Sequence, residues 1–172
     1  WFCSDNGPAR QGSPRHVGSN GGLSGHKLSM REGGIRVPGL LVWPNQVKKP
    51  RTVSAPCVTS DYFPTILDVL GIPLPENRIY DGISLLPLIQ GERETRDHPI
   101  GFLNKNGAEA VWMGDRHKMI ATAKRVQLFD IQEDPQEKQD LSGKLPEVKA
   151  RMEAELAGWK AGVMKELKAV GN

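Results

Sequence analysis

The chain has 172 residues, enough for one ordinary domain or two small ones, and its 38% hydrophobic content supports a packed core, which excludes disorder as the default. Lys and Arg number 11 against 8 Asp and Glu in residues 1–96, and 12 against 12 in residues 97–172; a net charge of +3 gives no ground for a nucleic-acid partner. Cys3 and Cys57 have neither a zinc spacing nor the makings of a disulfide framework, and no apolar run approaches the roughly 20 residues that span a bilayer.

From Trp1 to about Gly91 the pattern alternates short apolar strands, Gly-rich loops and short helices, as expected at the edge of an α/β sheet. Trp1-Phe2-Cys3 reads as the tail of a buried strand, which places the natural N-terminus upstream. Asp5 and Asn6 follow it and precede Gly7-Pro8, so that a carboxylate and an amide carbonyl leave the strand end together. Hard cations such as Ca²⁺ or Mg²⁺ take oxygen ligands of this kind, although Asn-Gly by itself is a hairpin-turn signal. Residues 9–25 hold no regular element and surround His16 and Asn20 with glycines and serines. A structureless loop of more than about 12 residues in a compact domain is usually functional or disordered. It leads to His26 and Lys27, whose ammonium can act as a point-charge anion clamp. No G-x-x-x-x-G-K-[ST] arrangement is present, which argues against a nucleotide P-loop.

Glu32-Gly33-Gly34-Ile35-Arg36-Val37-Pro38 calls for two adjacent residues with unusual backbone freedom. Gly39 to Trp43, stopped by Pro44, predicts a strand buried on both faces. Ser60 is positioned to cap a helix running to Leu70, with Phe63, Ile66, Leu67 and Leu70 as its apolar stripe and Gly71 as its terminator. Asp81-Gly82 turns the chain into a second short helix, Ser84 to Gln90, stopped by Gly91. After the charged connector Glu92 to Asp97 the pattern changes to strands at about Ile100–Leu103, Ala108–Met113, His117–Ala121 and Val126–Ile131, with Asn106-Gly107 and Gly114-Asp115 as turns. Pro146 then opens a long helix whose stripe is Val148, Met152, Leu156, Trp159, Val163, Leu167 and Val170, a face for packing on the sheet.

The ordered set Ser4-Asp5-Asn6-Gly7-Pro8, Gly25-His26-Lys27 and Glu32 to Pro38 resembles the C-terminal part of type I sulfatases, in the alkaline phosphatase superfamily. The likeness continues through Ser60 to Leu67, Asp81 to Leu85, Gln127 to Ile131, Asp134-Pro135 and Asp140-Leu141, and so covers almost the whole chain. It implies an α/β fold, the C-terminal part of an alkaline-phosphatase-like sulfatase, with residues 1–96 in the catalytic domain and residues 97–172 a subdomain of antiparallel sheet plus helix. It implies hydrolysis of sulfate esters, with Asp5 and Asn6 as the last two protein ligands of a divalent metal, calcium by preference and magnesium as the alternative. Lys27 matches the lysine that holds a sulfate oxygen, and His26 is a candidate on the leaving-group side. Glu32, Gly33, Gly34 and Arg36 support the loop, and Asn104, Asn106, Trp112 and His117 are candidates for the substrate rim, with an ordinary structural role as the alternative for each.

The family also uses a formylglycine made within a C/S-x-P-x-R motif, which neither Cys3 nor Cys57 matches. The chain alone is therefore expected to be inactive, and its partners are the N-terminal part of the same enzyme and a sulfated small molecule or carbohydrate. An extracytoplasmic location, whether periplasmic, secreted or lysosomal, is implied by the family alone. Two rival readings are a phosphate or phosphonate ester hydrolase of the same superfamily and a non-catalytic binding module.

Overall fold

A computed structural model describes residues 1–10, 12, 14, 18–104 and 107–170. Its elements in chain order are β1 (Phe2–Cys3), α1 (Glu32–Ile35), β2 (Gly39–Leu40), α2 (Tyr62–Val69), α3 (Leu86–Gln90), β3 (Ile100–Leu103), β4 (Glu109–Met113), β5 (His117–Thr122), β6 (Val126–Asp130) and α4 (Pro146–Val170). They form two compact units, one from residues 1–4 and 38–100, the other from residues 5–37 and 101–172.

In the first unit β1 and β2 pair antiparallel, Phe2 opposite Leu40 and Cys3 opposite Gly39. The expected buried strand over Gly39 to Trp43 is cut to two residues, and Val42 is 82% exposed. Trp1 and Phe2 are likewise exposed, so the strand end at the N-terminus is not a buried one. A strand buried on both faces needs a layer on each side, and a two-strand ladder supplies none. The helix expected from Ser60 begins instead after a 3₁₀ turn, Thr59–Asp61, and the capping carboxylate is that of Asp61. Its oxygens accept the backbone N–H of Val58 at 2.8 Å and of Ile83 at 2.9 Å. The same carboxylate holds the Arg96 guanidinium through two bonds of 2.8 and 3.0 Å, with both side chains fully buried. Gly71, at φ 66°, ends α2 as expected: its N–H reaches the Asp68 carbonyl and that of Ile72 reaches Leu67. The predicted apolar stripe does not form the buried face, however. Phe63, Ile66 and Leu70 are exposed while Pro64 and Thr65 are buried, because Thr65 is drawn inward by hydrogen bonds to Asp61 and Leu85. α3 starts at Leu86 rather than Ser84, whose hydroxyl accepts the Leu86 N–H, and Leu85 and Leu88 pack with Ala55 into a small core.

The second unit contains the four strands where the sequence predicts them, as an antiparallel sheet in the order β3-β4-β5-β6. Trp112 faces Met119 across β4 and β5, and Met119 faces Leu128 across β5 and β6. With Ala110 these side chains meet Met152 and Leu156 of α4 in the main core. Gly101 of β3 is required by this packing, since a Cβ there would lie 2.6 Å from the Trp159 ring. The stripe of α4 fades toward its end, Leu167 being 59% exposed, and the Val170 side chain lies outside the described residues. Val111, Lys118, Ile120 and Phe129 alternate onto the other face of the sheet and are also buried. Residues 5–37 cover that face: the Arg31 guanidinium lies 4.8 Å over the Phe129 ring and donates to Gln127 at 2.8 Å. The Gly114 N–H closes the β4–β5 turn on His117, as expected, whereas Asn106 of the preceding turn lies outside the described residues. Neither cysteine is in a disulfide, and among the described residues no helix is long and apolar enough to cross a membrane.

Candidate functional site

Three stretches of the second unit, residues 5–8, 24–29 and 31–36, are laced together by backbone hydrogen bonds. The Gly7 N–H donates to Gly34 at 2.9 Å, the Lys27 N–H to Pro8 at 2.8 Å and the Gly33 N–H to Ser24 at 2.7 Å. The glycines here answer to space more than to backbone freedom. Gly33 and Gly34 sit in α1 with no positive φ, which corrects the expected reason for them. A Cβ on Gly7 would overlap the Gly33 carbonyl oxygen, one on Gly33 would lie 2.7 Å from the Ser24 oxygen, and one on Gly34 as close to the His26 oxygen. Asn6-Gly7 is accordingly not a hairpin turn; Gly7 is the point where two backbones touch.

Asp5 and Asn6 emerge beside this contact. The Asn6 Nδ2 donates to the Gly7 carbonyl at 2.9 Å, so Oδ1 is the end suited to a cation. A carboxylate and an amide oxygen suit Ca²⁺ or Mg²⁺, but Ca²⁺ takes six to eight oxygens. No group of three or more His, Cys, Asp or Glu gathers among the described residues. The donor set therefore fits a hard cation in chemistry and is incomplete in number.

Lys27 is exposed, its backbone fixed by Pro8. His26 Nδ1 donates to the Lys27 carbonyl at 2.9 Å; a carbonyl can only accept, so this bond puts the ring proton on Nδ1. Asn20 organises the loop leading in, its amide donating to Leu23 at 2.7 Å and Gly25 at 3.0 Å while its oxygen accepts the Gly22 N–H.

Beneath α1 is an ion cluster that sequence reading missed. Lys118, fully buried, donates to Glu32 Oε1 at 2.8 Å and lies 2.9 Å from Glu137 Oε1 in an ion pair not aligned as a hydrogen bond. Glu137 Oε2 accepts the Glu32 N–H at 2.8 Å, and Arg36 Nη1 is 3.6 Å from Glu32 Oε2 at the exposed edge. Glu32 thus pins α1, and with it Gly33 and Gly34, to the back of the sheet. The available signal was Lys118 itself, which by strand alternation shares a face with Ile120 and so needs a buried counter-charge.

Among the described residues, the candidate rim side chains Asn104, Trp112 and His117 make other contacts, and Asn106 lies outside the described residues. Trp112 is a core side chain, 5% exposed, with Nε1 donating to Glu155 at 2.8 Å and its ring 5.8 Å from that of Trp159; its register opposite Met119 turns it toward α4. His117 is half-buried, and burial lowers its pKa against the opposing pull of Asp130. The Asn104 side chain accepts the Glu109 N–H at 3.2 Å and shapes the β3–β4 turn.

The family model for the C-terminal region of N-sulphoglucosamine sulphohydrolase matches residues 25–161. Human steryl-sulfatase is 45% identical over 87 residues, 51% of this chain and 15% of that protein. Dog N-acetylgalactosamine-6-sulfatase is 35% identical over 114 residues, 66% of this chain and 22% of that protein. The crystal structure titled Ps i-CgsB superposes with a TM-score of 0.79 at 31% identity, covering 92% of this chain and 35% of that one. The chain therefore spans well under half the length of these relatives. With its C-terminal family model, its curated relatives and its α/β architecture in agreement, the chain belongs to the sulfatase family and corresponds to a C-terminal portion of such enzymes.

Proposed function

We propose that this chain supplies the metal-holding and sulfate-holding side of a sulfate-ester hydrolase. Asp5 and Asn6 would ligate a divalent cation, calcium by preference, and Lys27 would clamp a sulfate oxygen, with His26 on the leaving-group side. The observation that carries this reading is the lacing of Gly7 to Gly34 and of Lys27 to Pro8, which fixes both backbones against one another before any substrate arrives. A bound cation would stabilise negative charge on the sulfuryl oxygens, and preorganised charge of that kind is usually the largest catalytic contribution. Lys27 adds a mobile positive charge to the same task, while Glu32 and Arg36 hold the loop from below.

The nucleophile, expected as a formylglycine, belongs to another part of the enzyme in this reading. Residues 1–96 would complete the catalytic domain with that part, and residues 97–172 would form the C-terminal subdomain. Relatives named for steryl sulfate and for N-acetylgalactosamine 6-sulfate support a sulfated small molecule or carbohydrate as substrate. An extracytoplasmic location follows from the family alone. The test is kinetic: in the intact enzyme, Asp5→Ala and Lys27→Ala each cut kcat/KM at least tenfold, about 1.4 kcal/mol of transition-state stabilisation. The 172-residue chain alone turns over no aryl sulfate. Wild-type kinetics in both variants would remove these residues from the site.

A further inference from the structure

Leu28 holds the least economical conformation on the candidate site. The Ser29 N–H donates to the His26 carbonyl at 2.9 Å, closing a β-turn over His26-Lys27-Leu28-Ser29. Leu28 has φ 75°, and Lys27 is not among the residues of positive φ. Negative φ at the second turn position and positive φ at the third is the type II pattern, which favours Gly or Asn at the third because a Cβ there crowds the preceding carbonyl. That carbonyl belongs to Lys27 and is itself held by His26 Nδ1. The turn is fixed further by the Lys27–Pro8 bond and by the close packing of Gly34 under Ser29.

Nothing in the fold compensates the leucine. It is 97% exposed, more than any other large apolar side chain described, so it contributes no core packing in this chain. A strained backbone that carries an unburied apolar side chain, one residue from the proposed sulfate clamp, has the character of a functional outlier. We infer that Leu28 is a specificity-determining residue, an apolar contact for the alcohol portion of the sulfate ester, which selects substrates whose alcohol is aromatic or polycyclic. Lys27 and Leu28 occupy the two central positions of one turn, so a charge for the sulfate and an apolar surface for the group bonded to it are delivered by the same rigid hairpin of backbone. Burial of a leucine against such a group is favourable, whereas a hydroxyl-covered sugar gains little from it.

This inference rests on the functional reading above, and the experiment separates the two. In the intact, matured enzyme, KM for 4-nitrophenyl sulfate and the inhibition constant of inorganic sulfate are measured for wild type, Leu28→Gly and Leu28→Asn, both of which accept positive φ. The expected result is that the ratio of KM to the sulfate inhibition constant rises at least fivefold in both variants, while Leu28→Gly melts no lower than wild type. A ratio within twofold of wild type, or lower melting and lost sulfate binding in both variants, overturns the role of Leu28 and makes it a packing or neutral residue. A wild-type enzyme that binds sulfate without turning over the aryl ester also overturns it. A wild-type enzyme that neither binds sulfate nor hydrolyses any sulfate ester overturns the functional reading beneath.

Discussion

Residues 5–37 with 101–172 bury a four-stranded sheet on both faces, one under α4 and the other under the segment that carries Asp5, Lys27 and Glu32. Residues 1–4 with 38–100 hold a small cluster around Leu85 and Leu88, and leave Phe2, Leu40, Val42, Ile66 and Leu70 exposed. Apolar exposure on that scale marks a surface made for contact. The difference teaches where each unit draws its stability. The second is closed by its own hydrophobic and ionic contacts, and its laced loops inherit that rigidity. The first is organised by polar bonds around Asp61, Thr65 and Arg96, and its apolar faces are left exposed.

The sharpest way to break that comparison is Lys118→Met, which leaves Glu32 and Glu137 buried together without a cation. Urea unfolding of the chain is expected to show a loss of about 3–5 kcal/mol, the range for stranding a buried charge. A loss under about 1 kcal/mol would mean that the cluster does not hold the second unit together. Leu156→Ala removes the centre of the α4 contact and should cost about 3 kcal/mol in the same titration. A much smaller cost would move the main core elsewhere.

Asp140 gives a pH-dependent test of the same unit. Burial pushes its carboxyl up, but N–H groups of Ser142 and Leu128 and the Arg125 guanidinium outweigh it and hold the pKa at about 2. The folded value is depressed, so the contribution is present above the ordinary carboxylate pKa near 3.8 and is lost as pH falls through about 2. Asp140→Asn is therefore expected to cost roughly 1 kcal/mol at neutral pH, after allowance for solvent screening, and to flatten the stability profile between those two values. An unchanged acid profile would sink this assignment. The smallest effect belongs to the first unit: Ile66→Ser should change stability by less than about 0.5 kcal/mol, as for a surface site, while reducing self-association seen by light scattering. A large loss of stability would show that the exposed face of α2 is covered within this chain.

The strands β3 to β6 and the helix α4 were legible in the sequence because each carries its own periodicity and ends on its own turn residues. The order of Asp5-Asn6, Lys27 and Glu32-Gly33-Gly34 was legible as a family pattern. Periodicity could not say which apolar faces find a partner. It predicted a buried stripe on α2 and a buried strand at Gly39 to Trp43, and most of both is exposed, Leu41, Trp43 and Leu67 being only partly buried, because burial depends on a second surface that local sequence does not contain. Trp112 reads equally well as a rim aromatic or a core one until its register opposite Met119 decides. Spacing also left open why Gly7, Gly33 and Gly34 must be glycine: the backbones that touch there are up to 27 positions apart, and only the folded chain brings them within one atom's width. Sequence alone thus determined which residues are candidates for the proposed site and in what order they fall. Tertiary structure decided that Lys118 and Glu137 hold Glu32 from the far end of the chain, since a buried charge takes its partner from whatever the fold carries to it.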